Sequence, residues 1–114
     1  MKIINATKQT LIADKATPTK TPIKRLIGLI GRREFKPDEA LVIRPCSSIH
    51  TFFMHFAIDV LFVDKHNRVI VAIKRLKPWR LSGIYFFSRL CIELPLGSIE
   101  SSHTSKGDLL NFTL

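Results

Sequence analysis

The sequence predicts a mainly β (α+β) domain: a compact, antiparallel, barrel-like sheet of about seven short strands with one or two short helices. Three observations carry that expectation. Apolar runs of four to six residues recur along the chain, separated by polar turn residues. One stretch only, Thr21 to Gly31, has convincing helical spacing. Strands and helices do not alternate in the rhythm of parallel βαβ units.

Ile3–Ala6 and Thr10–Ala13 read as two strands around the polar turn Thr7-Lys8-Gln9, and Asp14 to Lys20 as a loop. The helix follows. Thr21 serves as N-cap, Pro22 fits the first helical position, and Ile23, Leu26, Ile27 and Ile30 form one apolar stripe. Gly31 fits the residue just past the helix, and Gly28 in its interior suggests close approach to a strand. Ala40–Ile43 is a short buried strand. Ile49 to Val63 is the apolar centre, read as interior sheet, with Phe52, Met54 and Phe56 on one face. Residues 60–73 form a hairpin in which Asn67 takes the positive-φ position. Lys74 to Gly83 is a basic loop containing Pro78-Trp79-Arg80. Leu90–Leu94 is a strand ended by Pro95 and Gly97, and Gly107-Asp108 opens the last strand, Leu109 to Phe112.

At 114 residues the chain holds one domain, 1–114. Apolar residues make up 46% and charged residues 24%, which excludes general disorder. No run approaches the roughly 20 apolar residues of a membrane-spanning helix, and the start lacks the pattern of a secretory signal, so a cytoplasmic location is expected. The net charge of +9 is uneven. Residues 1–36 hold nine basic and two acidic side chains, 9 − 2 = +7, and the rest hold nine and seven, 9 − 7 = +2. Such a balance attracts phosphate-bearing partners or an anionic membrane surface, and also simply keeps a small domain soluble. In a reducing cytosol Cys46 and Cys91 are expected as free thiols packed as small hydrophobes.

No catalytic constellation, glycine-rich phosphate loop or metal-ligand spacing is recognisable, and no cofactor is expected. His50 and His55 point to opposite faces of a strand. Asp59 sits between Ile58 and Val60, so it either bonds backbone N–H groups at a kink or lies in a pocket. Glu93 repeats the situation between Ile92 and Leu94. Arg80 beside Trp79 suits anion recognition, and equally suits pairing with a carboxylate.

Ile49-His50-Thr51-Phe52-Phe53-Met54, Ile58-Asp59-Val60-Leu61-Phe62-Val63-Asp64, Pro78-Trp79-Arg80, Glu93-Leu94-Pro95-Leu96-Gly97 and Gly107-Asp108 follow one another in that order. The series resembles domain-of-unknown-function family 192, an uncharacterised conserved family of bacteria and archaea. Asn5-Ala6-Thr7, Arg25 and Gly28-Leu29-Ile30 extend the likeness to about residues 4–112. Ala57, Asn67 and Leu96 depart from the family's usual Pro, Gly and Ala, and Ile30 stands where Met is usual; all are packing or turn changes. Many relatives carry an export leader that this chain lacks, so an exported role is not expected. The resemblance implies a compact β-rich domain and no known activity.

The functional expectation is a non-catalytic small-ligand-binding or accessory domain. Its candidate site is a polar cluster of His50, Thr51, Asp59, Trp79, Arg80 and Glu93, in which Arg80 pairs with Asp59 or Glu93 or holds a small carboxylate or phosphate. One alternative is nucleic-acid binding through the basic N-terminal third, with Trp79 and Tyr85 free to stack. The other is a hydrolase using His50 and Asp59 as acid and base.

Overall fold

A computed structural model describes residues 1–19 and 35–113. The helix expected over residues 21–31, with Arg25 and Gly28-Leu29-Ile30, lies outside them. Among the described residues, eight strands run in the order β1 (Lys2–Asn5), β2 (Thr10–Ala13), β3 (Lys15–Thr19), β4 (Glu39–Ile43), β5 (Ile58–Val63), β6 (Val69–Leu76), β7 (Leu90–Leu94) and β8 (Leu110–Thr113), with a helical turn α1 (Ser98–Ser101) between the last two. They form two sheets, not one closed barrel: β2-β1-β8, and β3-β4-β7-β5-β6. Every pairing is antiparallel except β3 with β4. The mainly antiparallel β class is as expected from the sequence.

Alternation along β5 and β7 sorts side chains to two sides of the larger sheet. Leu61, Val63, Ile92 and Leu94 pack against Ile3, Ile12 and Leu110 of the smaller sheet. Ile58, Val60, Phe62 and Cys91 face the other way, onto Phe35, Ile49 and Met54. Both strands are buried along their whole length. The larger sheet is thus sandwiched between the smaller sheet and a layer of loops.

Two expectations about elements are corrected. Residues 15–19 form a strand, because the chain between Asp14 and Lys20 pairs in parallel with β4 from Lys15↔Glu39 to Thr19↔Ile43. Residues 49–57 are loop, not interior sheet: the strand begins at Ile58, Phe53 has φ 67°, and Ile49 and Met54 cover the sheet from outside it. Apolar residues covering a sheet and apolar residues within one give the same run in sequence.

The hairpin at 60–73 forms as expected. Asn67 has φ 62°, and Asp64 Oδ1 accepts the N–H groups of His66 and Arg68 at 2.8 and 3.0 Å.

The smaller sheet closes on a buried polar knot. Asn5 Nδ2 donates to Asp108 Oδ2 at 2.8 Å and to Thr104 Oγ1 at 3.1 Å. Lys8 Nζ and the Ser105 N–H reach the same carboxylate oxygen at 2.9 and 3.0 Å. Burial alone pushes the Asp108 carboxyl up, but the Asn5 and Lys8 bonds and the Ser105 N–H outweigh it and hold it below the usual value of 3.8.

The cysteines are not free thiols. Cys46 and Cys91 form a disulfide with Cα atoms 5.6 Å apart. Antiparallel pairing of β4 with β7 sets Ile43 opposite Cys91, and the Cys46 N–H then bonds the Arg89 carbonyl at 3.1 Å, which carries Cys46 over β7.

Two outcomes are expected. The depressed Asp108 pKa adds stability that is present above about pH 3.8 and is lost as pH falls through the lower folded value. Asp108→Asn should therefore cost about 1–3 kcal/mol in urea melts at pH 7, with Lys8 contributing little because its side chain is 36% exposed. The difference from wild type should shrink towards pH 2. Reducing the disulfide, whose cysteines are 45 residues apart, should cost about 2–4 kcal/mol, read as a lower urea midpoint in dithiothreitol that Cys46→Ser does not show.

Candidate functional site

Thr51 organises the surface around Trp79 and Arg80. It is fully buried. Its Oγ1 donates to the Lys77 carbonyl at 2.5 Å and accepts the Arg80 N–H at 3.0 Å. Its backbone completes the clasp: Thr51 N–H to the Arg80 carbonyl at 2.9 Å, and Trp79 N–H to the Thr51 carbonyl at 3.0 Å. Ser82 extends the contact, donating its N–H to the Ile49 carbonyl and accepting the Ile49 N–H on its hydroxyl, both at 2.9 Å. The loops 49–54 and 77–82 are thereby locked together like two short strands, with His50 bridged to Leu81.

Aromatic rings lie along this seam. His50 stacks on Phe52 at 4.8 Å between centroids, Phe52 on Trp79 at 5.9 Å, and Phe53 meets Trp79 edge-on at 4.7 Å. Phe53 and Trp79 both have positive φ, which turns their side chains out of the course a strand would give them. Both are more than half exposed. A cleft of about 290 Å³ opens beside His50, bordered by Pro45, Cys46 and Ser48.

The six residues expected to form one polar cluster are not brought together. His50, Thr51, Trp79 and Arg80 share the loop seam. Asp59 and Glu93 are buried in β5 and β7. Asp59 pairs across to Leu94 while Glu93 pairs with Val60, so the two carboxylates point to opposite faces of the sheet. Arg80 makes no ion pair with either among the described residues: its guanidinium touches only the Trp79 carbonyl, at 3.5 Å, and is exposed.

Asp59 is a structural carboxylate. Between Ile58↔Leu76 and Val60↔Ile73 the ladder slips, setting Lys74 and Arg75 opposite Asp59 alone. Asp59 Oδ1 takes the Arg75 N–H at 3.1 Å. Its Oδ2 takes the N–H groups of Gly97 and Ile99 at 3.1 and 2.9 Å. Three of its acceptor positions are thus committed to backbone groups.

Sequence reasoning missed the outward display next to the seam. Leu81, Ile84, Phe86 and Phe87 are 63–87% exposed, although the run 84–87 reads as ordinary core. One signal was available: residues 65–92 contain no Asp or Glu and seven Lys or Arg. Among the described residues no cluster of His, Cys, Asp and Glu is placed to hold a metal ion, and no helix is long and apolar enough to cross a membrane.

Fold and surface define a two-sheet, mainly antiparallel β domain with a rigid aromatic and cationic loop face. The chain belongs to the DUF192 family, "Uncharacterized ACR", whose model matches residues 3–112. It is 36% identical to a UPF0127 protein of Pyrococcus horikoshii, covering 96% of this chain and 97% of that one. It is 35% identical to a UPF0127 protein of Thermococcus kodakarensis, covering 97% and 73%. Among solved structures it is similar to a protein of unknown function from Novosphingobium aromaticivorans, with a TM-score of 0.78, 15% identity, and 98% and 84% of the two chains covered. A second, from Sinorhizobium meliloti, has a TM-score of 0.78 at 19% identity, covering 96% and 89%. These two likenesses concern the fold alone.

Thr51→Val removes one hydroxyl that serves two backbone groups while keeping the volume. It should cost about 1–3 kcal/mol and speed tryptic cleavage after Arg80. Unchanged cleavage would mean that the loop does not rely on Thr51.

Proposed function

We propose that the chain is a non-catalytic binding domain whose ligand site is the Thr51-held seam, with Arg80 as the anion-binding group and Trp79 and His50 as flanking rings. One observation carries this reading. The Arg80 backbone is fastened by Thr51 while its side chain stands exposed, its guanidinium bonded among the described residues only to the carbonyl of the preceding residue. A guanidinium presents a planar fork that matches carboxylate and phosphate, and a fixed backbone lowers the ordering cost of using it. The stacked rings of His50, Phe52 and Trp79 add a flat wall beside it. The ligand class is a small carboxylate or phosphate.

Nucleic-acid binding is a second reading, supported by the exposed rings of Trp79 and Phe53 next to Arg80. The bonding of Asp59 argues against a hydrolase built on His50 and Asp59. A cytoplasmic location belongs to the proposal. The disulfide bears on it, since such bonds are rare in a reducing cytosol outside hyperthermophiles.

A thermal-shift screen of inorganic phosphate and small mono- and dicarboxylates tests the site. A ligand well above its Kd should raise the Tm of wild type by several degrees and leave Arg80→Ala unmoved. Stabilisation that survives Arg80→Ala would refute the assignment.

A further inference from the structure

The stretch following Arg80 carries a feature that a small-anion site does not use. Tyr85 to Ser88 is a β-turn, closed by the Ser88 N–H on the Tyr85 carbonyl at 2.9 Å, with Phe86 and Phe87 at its two central positions. These positions ordinarily go to Gly, Asn, Asp or Pro. Here they hold two phenylalanines that are 86% and 87% exposed. Leu81 at 67%, Ile84 at 63% and Trp79 at 56% are exposed on the same loop.

The base of the turn is fixed. The Tyr85 ring packs on Phe62 of β5 at 4.6 Å, and its N–H bonds the Ser47 carbonyl at 2.8 Å. The Ser88 hydroxyl donates to the Cys46 carbonyl at 2.8 Å, and Cys46 is tied covalently to β7. The phenylalanines are therefore held out on a stiff support.

The charge carried by this stretch of chain has one sign. Lys77, Arg80 and Arg89 are all exposed, and no acidic residue occurs from 65 to 92. Apolar rings and aliphatic side chains projecting from a cationic rim match the interfacial zone of a bilayer with negatively charged headgroups. Single-stranded nucleic acid would use the rings and cations, but Leu81 and Ile84 give it nothing to stack on.

We infer that the 81–89 loop is a peripheral membrane-docking element, which inserts Phe86 and Phe87 into the surface of an anionic phospholipid bilayer while the flanking Lys and Arg side chains hold the headgroups. The inference goes beyond the small-anion site and does not require it.

Co-sedimentation of the full chain with phosphatidylcholine vesicles, with and without phosphatidylglycerol, is the test. Emission of Trp79, the single tryptophan, gives a second readout. Binding and a blue shift are expected with the anionic vesicles at 50 mM salt, both weakening at 500 mM. The Phe86→Ser/Phe87→Ser variant should bind roughly tenfold or more weakly with an unchanged Tm, since neither ring is packed. Lys77→Gln should weaken binding about fivefold. Arg80→Ala should also weaken vesicle binding only about fivefold while abolishing small-anion stabilisation, so failure of one proposal is distinguishable from failure of the other. The inference is overturned if anionic vesicles do not bind, or if the double phenylalanine variant binds as wild type does. It is equally overturned if that variant instead loses oligonucleotide binding or self-association while wild type ignores lipid.

Discussion

Two strands buried on both faces, β5 and β7, constrain everything else. Every residue along them is buried, so a polar group there must find its partner inside the protein. Asp59 meets that demand by accepting three backbone N–H groups: one freed where β6 bulges, two from the turn that opens α1. One carboxylate thus compensates for a slipped ladder and fixes the exit from β7. It is a joint of the scaffold, and the chemistry available to a ligand is displaced to the loops outside.

Those loops are unusual in how firmly they are held. Thr51 clasps 77–80, Ser82 meets Ile49, and the disulfide fastens Cys46, which in turn supports Ser88. Loops commonly carry function because they are adaptable. Here the covering layer behaves as an extension of the sheet, and its exposed side chains are presented with little freedom. Such presentation accords with both proposals, a small anion at the guanidinium of Arg80 and an anionic bilayer at the Phe86–Phe87 turn.

Local signals in the sequence located β1, β2, β4, the 60–73 hairpin, β7 and β8, because each pairs apolar runs with recognisable turn residues such as Asn67, Pro95 and Gly107. The strand at 15–19 was not legible, since Lys15-Ala16-Thr17-Pro18-Thr19 is polar and owes its conformation to pairing with β4. The 49–57 segment misled because side chains that cover a sheet have the same apolar character as those within it. Of the candidate residues, Thr51, Trp79, Arg80 and His50 lie on the two joined loops, with Thr51 buried between them. Asp59 and Glu93 were grouped with them by motif order, but the two-residue alternation of β5 and β7 separates them. The disulfide was hidden by chain distance: only the register of β4 on β7 brings its halves together. The exposure of Ile84, Phe86 and Phe87 was hidden because Ile-Tyr-Phe-Phe has the composition of a core segment.

The pairing of β1 with β8 joins parts of the chain about a hundred residues apart, Lys2 opposite Thr113. An isolated two-stranded ribbon such as β1–β2 is marginal in water, and contacts of such long range are slow to form because the intervening loop must close first. During synthesis on the ribosome, β1 can pair with β2 but lacks its second neighbour, and the Asn5 Nδ2 group lacks its carboxylate, until β8 and Asp108 have emerged. The smaller sheet therefore cannot be completed before the last strand is available, a delay set by which strand the first one meets.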